Sequence, residues 1–234
     1  MAQKVFDSFD EANNTALTDH SPNLGGPGNW TAFATAGVFG QILGSTDVLR
    51  TSANGGTARI GYSPPTAPAT KNQDIILHVS QLAGSAGSAL CGMGRIAAAD
   101  TMYGMSIYPA GDNVLRIWKM VAGVRTVLQA PAVAGAIDTF YMLELRDGSQ
   151  RLLSAANLAG PYSPIATAND NDGALDVVGH WGLGMGSWAQ AGDSIHRFNH
   201  MTEISFEEPD IAAGQPTWRR HGGLWHPRRI GRGF

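Results

Sequence analysis

The stretch TFYMLELRDGSQRLLSA, residues 139–155, decides the fold class because two strand-forming runs flank a tight turn in it. Apolar and polar side chains alternate over residues 143–146 of the run Thr139–Arg146, and Arg151–Ala155 is a second apolar-rich run of strand length. Asp147-Gly148 lies between the two runs, and an Asp-Gly pair favours the short turn of a β-hairpin. The stretch therefore predicts two adjacent antiparallel strands.

The same alternation continues on both sides of this hairpin. Val114–Val121 and Val124–Gln129 flank the short turn Ala122-Gly123, and Asp74–Leu82 is predicted to pair with Ala89–Ala97. The other predicted strands are Val5–Phe9, Trp30–Phe39, Val48–Ser52, Ala58–Tyr62, Tyr103–Tyr108, Val177–Met185 and Ile195–Glu207. About 13 antiparallel strands do not remain in one open sheet, so we expect two packed sheets with apolar inner faces.

Further predictions concern the first and last strands and the loop that follows the first. The first and last strands are both rich in β-forming residues and are expected to lie side by side. Asp10–Asn29 is rich in Asn, Asp, Pro and Gly, which predicts a long loop that crosses between the sheets. Trp30 follows this loop and is expected to anchor its end in the core, because an indole at a strand start usually fills volume.

Composition excludes several other classes of protein. Charged residues make up 15% of the 234 residues and 30 are glycine, which argues against a coiled coil or a charged helical bundle. Cys91 is the only cysteine, so neither an intrachain disulfide nor a thiolate zinc cluster forms, and its apolar surroundings predict burial. The sequence contains neither an apolar run of membrane-spanning length nor a signal-peptide core, so synthesis in a cytoplasm and no membrane partner are expected.

Charge is distributed unevenly along the chain. Residues 211–234 hold five arginines and no acid, which leaves 11 basic and 19 acidic groups in residues 1–210. This tail has no strand pattern, and its aromatic and arginine side chains are of the types that dominate interface energetics. We expect it to be an assembly arm on a neighbouring subunit, whereas five dispersed arginines give only a modest footprint for nucleic acid. The expected arm residues are Trp218, Arg219, Arg220, Trp225, Arg228, Arg229, Arg232 and Phe234.

Two groups of residues resemble concanavalin A-like (LamG/lectin-like) jelly-roll domains, which are common in bacteriophage structural proteins. The first group is Phe6-Asp7-Ser8-Phe9, Thr15 to Asn23, Gly26 and Trp30. The second group is Gly94-Arg95-Ile96, Ala99 to Gly104, Leu115 to Lys119 and Val121 to Thr126. The resemblance implies an all-β jelly-roll sandwich of two antiparallel sheets over residues 1–210, followed by an extended basic Gly/Arg-rich arm over residues 211–234.

The resemblance also implies a role. The chain would be a bacteriophage virion structural protein, either a capsid decoration or a tail or fibre subunit, held by its arm against other virion proteins and further copies of itself. It would be located in the virion after synthesis in the host. A carbohydrate-binding module for adsorption to a host-surface glycan is the alternative, and a polysaccharide-degrading enzyme is the third possibility.

Three local patterns bear on ligands and catalysis. Trp181 and Trp188 flank a Gly-rich segment and are the candidate sugar-stacking residues, unless they fill gaps over a close-packed sheet. Asp170, Asp172 and Asp176 offer hard oxygens for Ca²⁺, although Asn and Asp also form turns, and no other cofactor is expected.

Retaining glycoside hydrolysis needs two carboxyls about 5 Å apart. Glu203 and Glu207 share a strand face but are separated by ~13 Å of strand rise. The sequence therefore predicts no catalytic pair and a protein that is not an enzyme.

Overall fold

A computed structural model describes residues 2–11, 14–34, 39–44, 46–54, 59–82, 89–108, 114–189, 195, 197, 199–209, 218–221 and 224–227, the last two ranges by their backbone. Short 3-10 turns span Leu17–Asp19 and Gly173–Leu175. The strands are β1 (Ala2–Asp7), β2 (Thr15–Ala16), β3 (Thr31–Ala34), β4 (Gly40–Leu43), β5 (Val48–Thr51), β6 (Arg59–Ser63), β7 (Gln73–Gln81), β8 (Leu90–Ala98), β9 (Thr101–Ile107), β10 (Arg116–Val121), β11 (Val124–Gln129), β12 (Thr139–Arg146), β13 (Ser149–Ala155), β14 (Ser163–Ala168), β15 (His180–Gly186), β16 (His200–Glu208), β17 (Trp218–His221) and β18 (Leu224–Pro227).

Two antiparallel sheets pack face to face and confirm the predicted jelly-roll sandwich. Among the described residues, one sheet has the order β14-β13-β12-β7-β16-β5-β4-β2, with β1 also paired to β16, and the other has the order β11-β10-β9-β8-β15-β6-β3. The inner faces meet in one apolar core, because alternate side chains of each strand point inward. Its members include Leu77, Ile204 and Phe206 of the first sheet and Met105, Ile117 and Leu183 of the second.

Of the three pairings predicted between strands adjacent in sequence, the two tight hairpins are present. The predicted pairing of Asp74–Leu82 with Ala89–Ala97 is wrong, because β7 pairs with β12 and β16 in the larger sheet whereas β8 pairs with β9 and β15 in the smaller one. Strands β12 and β13 pair in register from Phe140↔Ala155 to Arg146↔Ser149 around Asp147-Gly148, and Gly148 has a φ of 69°. Strands β10 and β11 turn at Ala122-Gly123, where both residues have positive φ values of 46° and 80°. Positive φ at both central positions is the geometry that matches the twist of the flanking strands.

The first and last strands of the sandwich pair directly, as predicted. Val5 lies opposite Phe206 and Phe6 lies opposite Ser205. The predicted long loop over Asp10–Asn29 contains two short elements that the sequence did not predict, β2 and a 3-10 turn. These short elements pair with β4 or pack on it, so the crossover adds an edge to the larger sheet.

Asp7 contacts several of the N-terminal residues on which the family resemblance rests. Its buried carboxylate accepts hydrogen bonds from Trp30 Nε1 at 2.7 Å and from the Phe9 amide at 2.9 Å, and it contacts His20 Nε2 at 2.8 Å. Trp30 itself is 1% exposed, which confirms its predicted place in the core. These residues therefore hold the crossover segment against β1. Their role is structural.

The C-terminal segment contains a hairpin that the sequence analysis did not predict. Strand β17 pairs with β18 from Trp218↔Pro227 to His221↔Leu224. Gly222-Gly223 between them is a recognised hairpin signal, so the expectation of no strand pattern is wrong here. The side chains of these strands, and all of Arg228, Arg229, Arg232 and Phe234, lie outside the described residues, so the arm and its boundary stay a prediction.

Two smaller predictions also concern the body of the chain. Cys91 is fully buried on β8, as its apolar neighbours indicated. In the described part of the chain, no helix has the length and apolar character needed to cross a bilayer.

Candidate functional site

The two tryptophans that were predicted to stack on sugars are both 0% exposed. Trp181 Nε1 donates to the Thr66 carbonyl at 2.7 Å, and Trp188 Nε1 donates to the Ile60 carbonyl at 2.9 Å. A Cβ on Gly184 would lie 2.7 Å from Trp188 Nε1, so the glycine leaves the space that the indole fills. The prediction of a tryptophan rim is therefore wrong, and the alternative of gap-filling side chains over a close-packed sheet is the correct one.

A polar pocket of about 300 Å³ opens at the end of the sandwich where the β12–β13 turn and the β14–β15 connection meet. The ten residues that line it come from five separate segments, and seven of them are charged or amide-bearing. They are Lys71, Arg95, Tyr103, Asp147, Gly148, Asp170, Asn171, Asp172, Gly173 and Asp176. The acidic loop that the sequence singled out therefore lies in this pocket, which we call the polar pocket.

Each of two lysines forms ion pairs with two carboxylates of the polar pocket. Lys71 Nζ lies 3.0 Å from Asp147 and 2.6 Å from Asp176. Lys119 Nζ lies 2.8 Å from Asp170 and 3.0 Å from Asp172. The paired ammonium groups therefore supply positive charge inside the acidic loop.

The pKa values of the paired carboxyls follow from these contacts. Burial alone raises the pKa of Asp170, but the hydrogen bonds from Lys119 and the Tyr103 hydroxyl outweigh it and leave that pKa lowered. The ammonium of Lys119 lowers the pKa of Asp172, and that of Lys71 lowers the pKa of Asp176. These three side chains are therefore carboxylates at neutral pH.

Arg95 forms the floor of the polar pocket and is 3% exposed. Its φ of 49° lies where β8 bulges by one residue against β15, and the extra residue breaks the strand alternation there. The guanidinium donates to the carbonyls of Lys71 at 2.8 Å, Arg146 at 2.9 Å and Leu175 at 3.4 Å. One side chain thus connects three of the segments that build the pocket.

Tyr103 completes the pocket beside this arginine. Its hydroxyl donates to Asp170 Oδ2 at 2.7 Å, and the Arg95 guanidinium carbon lies 5.8 Å from its ring centroid. Burial and the neighbouring carboxylate raise the pKa of the phenol, so it remains a hydrogen-bond donor. The ring itself is buried, so the polar pocket presents hydrogen-bonding and charged groups and no open aromatic face.

The predicted calcium ligands do not form one site. Asp170 and Asp172 contact Lys119, whereas Asp176 contacts Lys71, so each carboxylate already has a cation beside it. Asp172 instead caps the 3-10 turn by accepting from the Ala174 amide at 3.1 Å, which is the turn role considered from the sequence. Within the described residues no group of three or more His, Cys, Asp or Glu side chains has a metal-holding arrangement. Among the described residues these three carboxylates are therefore held by lysines and show no calcium site.

Metal removal provides a direct test of this conclusion. We expect neither millimolar CaCl₂ nor EDTA to move the melting temperature by more than about 1 °C, because a ligand that binds the folded state would raise it. Differential scanning fluorimetry measures the shift. A calcium-dependent rise that Asp170→Asn abolishes would contradict the expectation.

A row of three acids crosses the outer face of the larger sheet, and sequence reasoning missed it. Asp74 lies opposite Glu144 on one neighbouring strand and opposite Glu207 on the other. Directly opposite residues have Cβ atoms about 5 Å apart, but their sequence positions are unrelated, so only the strand pairing reveals them. Asp74 is 0% exposed and lies 2.7 Å from Arg146 Nη1, so no substrate reaches its carboxylate.

Glu207, one of these three acids, is expected to lower the stability of the protein at neutral pH. Burial raises its pKa, and the nearby Asp74 raises it further, so its ionisation in the folded state is unfavourable. The stabilisation that comes from the protonated form is present below the unfolded pKa and is lost as the pH rises through the folded pKa. Glu207→Gln, which resembles the protonated form, should raise the free energy of unfolding at pH 7 by roughly 0.5–1 kcal/mol.

Urea denaturation at pH 4 and pH 7 measures this effect. The gain should shrink at pH 4, where wild-type Glu207 takes up its proton. Glu203→Gln, on the same face of β16, is the matched control. An equal gain at both pH values would show that charge is not the cause.

The carboxylates of the polar pocket must also be weighed as catalysts. Each lysine holds two of them close together, near the roughly 5 Å separation of a retaining glycoside hydrolase. Such an enzyme needs one carboxyl with a raised pKa to protonate the leaving group. Asp170, Asp172 and Asp176 have lowered pKa values, so they do not suit the role of general acid.

Comparison with known proteins places this chain among lectin-like β-sandwiches. No protein-family model matches the chain, and the search of curated proteins found no match. Domain 4 of AbnA, a GH43 extracellular arabinanase from Geobacillus stearothermophilus, in complex with arabinotriose, has a TM-score of 0.52 and 10% identity over 88% of this chain and 92% of that chain.

Two further solved structures are similar. The exoplasmic/lumenal domain of VIP36 in its Ca²⁺/Man-bound form has a TM-score of 0.51 and 8% identity over 85% of this chain and 88% of that chain. Carbohydrate binding module CBM66 from Bacillus subtilis has a TM-score of 0.49 and 12% identity over 76% of this chain and 92% of that chain. At these identities the likeness of the first two structures concerns the fold alone, a lectin-like jelly-roll sandwich of two antiparallel sheets.

Proposed function

We propose that this chain is a carbohydrate-binding module whose ligand occupies the polar pocket. The observation that carries the proposal is the convergence of carboxylates, an amide, lysine and arginine in one pocket of about 300 Å³. Carboxylate and amide oxygens accept hydrogen bonds from sugar hydroxyls, whereas the amide, ammonium and guanidinium groups donate to them. Similar folds hold arabinotriose in Domain 4 of AbnA and mannose in VIP36, which supports the same class of ligand here.

The accessible side chains of the pocket mouth would make the first contacts. Asp147 is 69% exposed and Asp176 is 60% exposed, and Asn171 is exposed between the two. Lys71 fixes both carboxylates from one side, and the buried Arg95 fixes the backbone beneath them. Such fixed polar groups bind a polyol without first having to be ordered, which favours affinity. The lowered pKa values of Asp170, Asp172 and Asp176 favour binding over hydrolysis.

A glycan array with plant, bacterial and animal oligosaccharides tests the proposal. We expect a restricted set of glycans to bind, and we expect Asp147→Asn and Asn171→Ala to lower affinity about tenfold, as the loss of one good hydrogen bond to a charged or amide partner does. Asp47→Asn, an exposed turn aspartate distant in sequence from the pocket, is the matched control. Binding to no glycan, or binding that neither Asp147→Asn nor Asn171→Ala weakens relative to the control, would overturn the proposal.

A virion role is a second proposal, and it concerns the C-terminal arm. The hairpin β17–β18 pairs with itself in a separate two-stranded sheet, and the surrounding sequence carries five arginines against an acidic body. Opposite charges of this kind favour docking on a neighbouring copy or on another particle protein. Deleting residues 211–234 should leave the sandwich folded and abolish incorporation into particles, and full occupancy of the truncated chain would contradict the proposal.

A further inference from the structure

A second pocket of about 300 Å³ lies at the edge of the smaller sheet, next to the polar pocket. Its lining differs in chemistry, since it combines an aromatic ring and two prolines with two hydroxyls and an imidazole. The lining residues are Thr31, Phe33, Ser63, Pro64, Pro65 and His180. We call it the aromatic pocket.

Phe33 is held in place as a rigid platform in this pocket. A Cβ on Gly61 would lie 2.5 Å from the Phe33 ring, and a Cβ on Gly182 would lie 3.2 Å from it, so both glycines allow the ring to lie against the strands. The ring also packs on Trp188 with centroids 5.7 Å apart. Phe33 nevertheless remains partly exposed, so part of its ring is open to a ligand.

Two chain segments run directly from one pocket to the other. The β6–β7 connection carries Pro64 and Pro65 in the aromatic pocket and Lys71 in the polar pocket. The segment from Asp176 to His180 also joins them, and its four steps span at most ~14 Å. The pockets are therefore neighbours at the same end of the sandwich.

The ridge between the pockets is fixed by partly buried hydrogen bonds. Trp181 Nε1 donates to the Thr66 carbonyl at 2.7 Å, and Gln73 Nε2 donates to the Val178 carbonyl at 2.6 Å. In addition, His180 pairs with Ile96, which follows the pocket-floor residue Arg95. The spacing of the two pockets is consequently set by the fold and does not depend on a ligand.

We propose that the aromatic pocket is a second subsite for the glycan chain bound by the polar pocket, so that the ligand is an oligosaccharide that crosses the ridge. This inference rests on the proposed function. The apolar face of one sugar ring packs on Phe33 and Pro65, while Thr31, Ser63 and His180 bind hydroxyls at its edge. A hydroxyl-rich unit of the same chain occupies the polar pocket.

The two subsites make different predictions about chain length. The probes are a length series, from one to six units, of the strongest glycan from the array. Wild-type affinity should rise roughly tenfold when the chain becomes long enough to reach Phe33, as one added aromatic contact implies. Phe33→Leu should remove this rise and leave the affinity of the shortest probe unchanged, whereas Asp147→Asn should weaken all lengths alike.

Isothermal titration calorimetry on the full chain measures these affinities. Thermal melts check that Phe33→Leu is folded, and the exposed His180→Ala provides a second variant with the same expected pattern. Val124→Ala, on the exposed face of edge strand β11, is the control that should change nothing. Equal affinity at every length, or equal loss at every length in Phe33→Leu, would overturn the second subsite and leave the proposed function standing. Binding of no array glycan would overturn both.

Discussion

Asp7→Ala is expected to lower the free energy of unfolding by about 3–5 kcal/mol, because it removes one partner of a buried charged pair. Asp7 is 0% exposed and His20 is 2% exposed. The substitution leaves the imidazole, the Trp30 indole N–H and the Phe9 amide without the carboxylate that they contact. Since these groups lie on the crossover between the sheets, the loss should loosen the N-terminal edge of the sandwich.

The effect of Asp7→Ala should depend on pH. Burial alone lowers the pKa of His20, but Asp7 and Glu11 outweigh it, so the pKa lies above its usual 6.5. A raised folded pKa contributes stabilisation that is fully present below the unfolded pKa and is lost as the pH rises through the folded pKa. The difference between wild type and Asp7→Ala should therefore be largest below about pH 6.5 and should decrease above it.

Urea denaturation from pH 5 to pH 9 measures both the size and the pH dependence of this loss. Asp10→Ala is the matched control, because Asp10 is an exposed aspartate three residues further along. It should change stability by less than about 0.5 kcal/mol. A loss in Asp7→Ala that stays constant over this range would show that the imidazolium contributes nothing.

Local patterns predicted much of the sandwich because they depend on neighbouring residues. The alternation within Thr139–Arg146 and the Asp147-Gly148 turn are properties of adjacent side chains, and they fix the β12–β13 hairpin. The short elements in Asp10–Asn29 escaped prediction because their stability comes from tertiary contacts. Leu17, for example, is fully buried in the core although its surroundings in sequence are polar.

The candidate site was less predictable than the fold. The sequence selected Asp170, Asp172 and Asp176 correctly as a local cluster, but their lysine partners are 51 to 105 residues away in the chain. It selected Trp188 as an exposed platform, whereas Phe33, more than 150 residues earlier, lies over that indole. Partners on separate strands are visible only when the register of the sheets is known.

Arg95 supports both the fold and the candidate site, and its replacement is expected to have the second large effect. Arg95→Met should lower the free energy of unfolding by about 3 kcal/mol or more, because the carbonyls of Lys71, Arg146 and Leu175 lose their donor. Methionine keeps the unbranched apolar stem and removes the guanidinium, so the packing of the stem is retained while its hydrogen bonds are lost. Arg95→Lys should recover only part of the stability, since an ammonium does not reproduce the planar fork of the guanidinium.

The same substitution should weaken glycan binding even at temperatures where the variant is folded. The three carbonyls belong to the β6–β7 connection, the β12–β13 turn and the β14–β15 connection, so losing their common donor lets the walls of the polar pocket move apart. Arg151→Met is the control, because Arg151 is 37% exposed and its pair with Glu144 contributes at most about 1 kcal/mol. Chemical denaturation and calorimetric titration of both variants check the two effects. If Arg95→Met binds glycan as wild type does while losing stability, Arg95 supports the fold alone and the pocket is positioned by its lysine pairs.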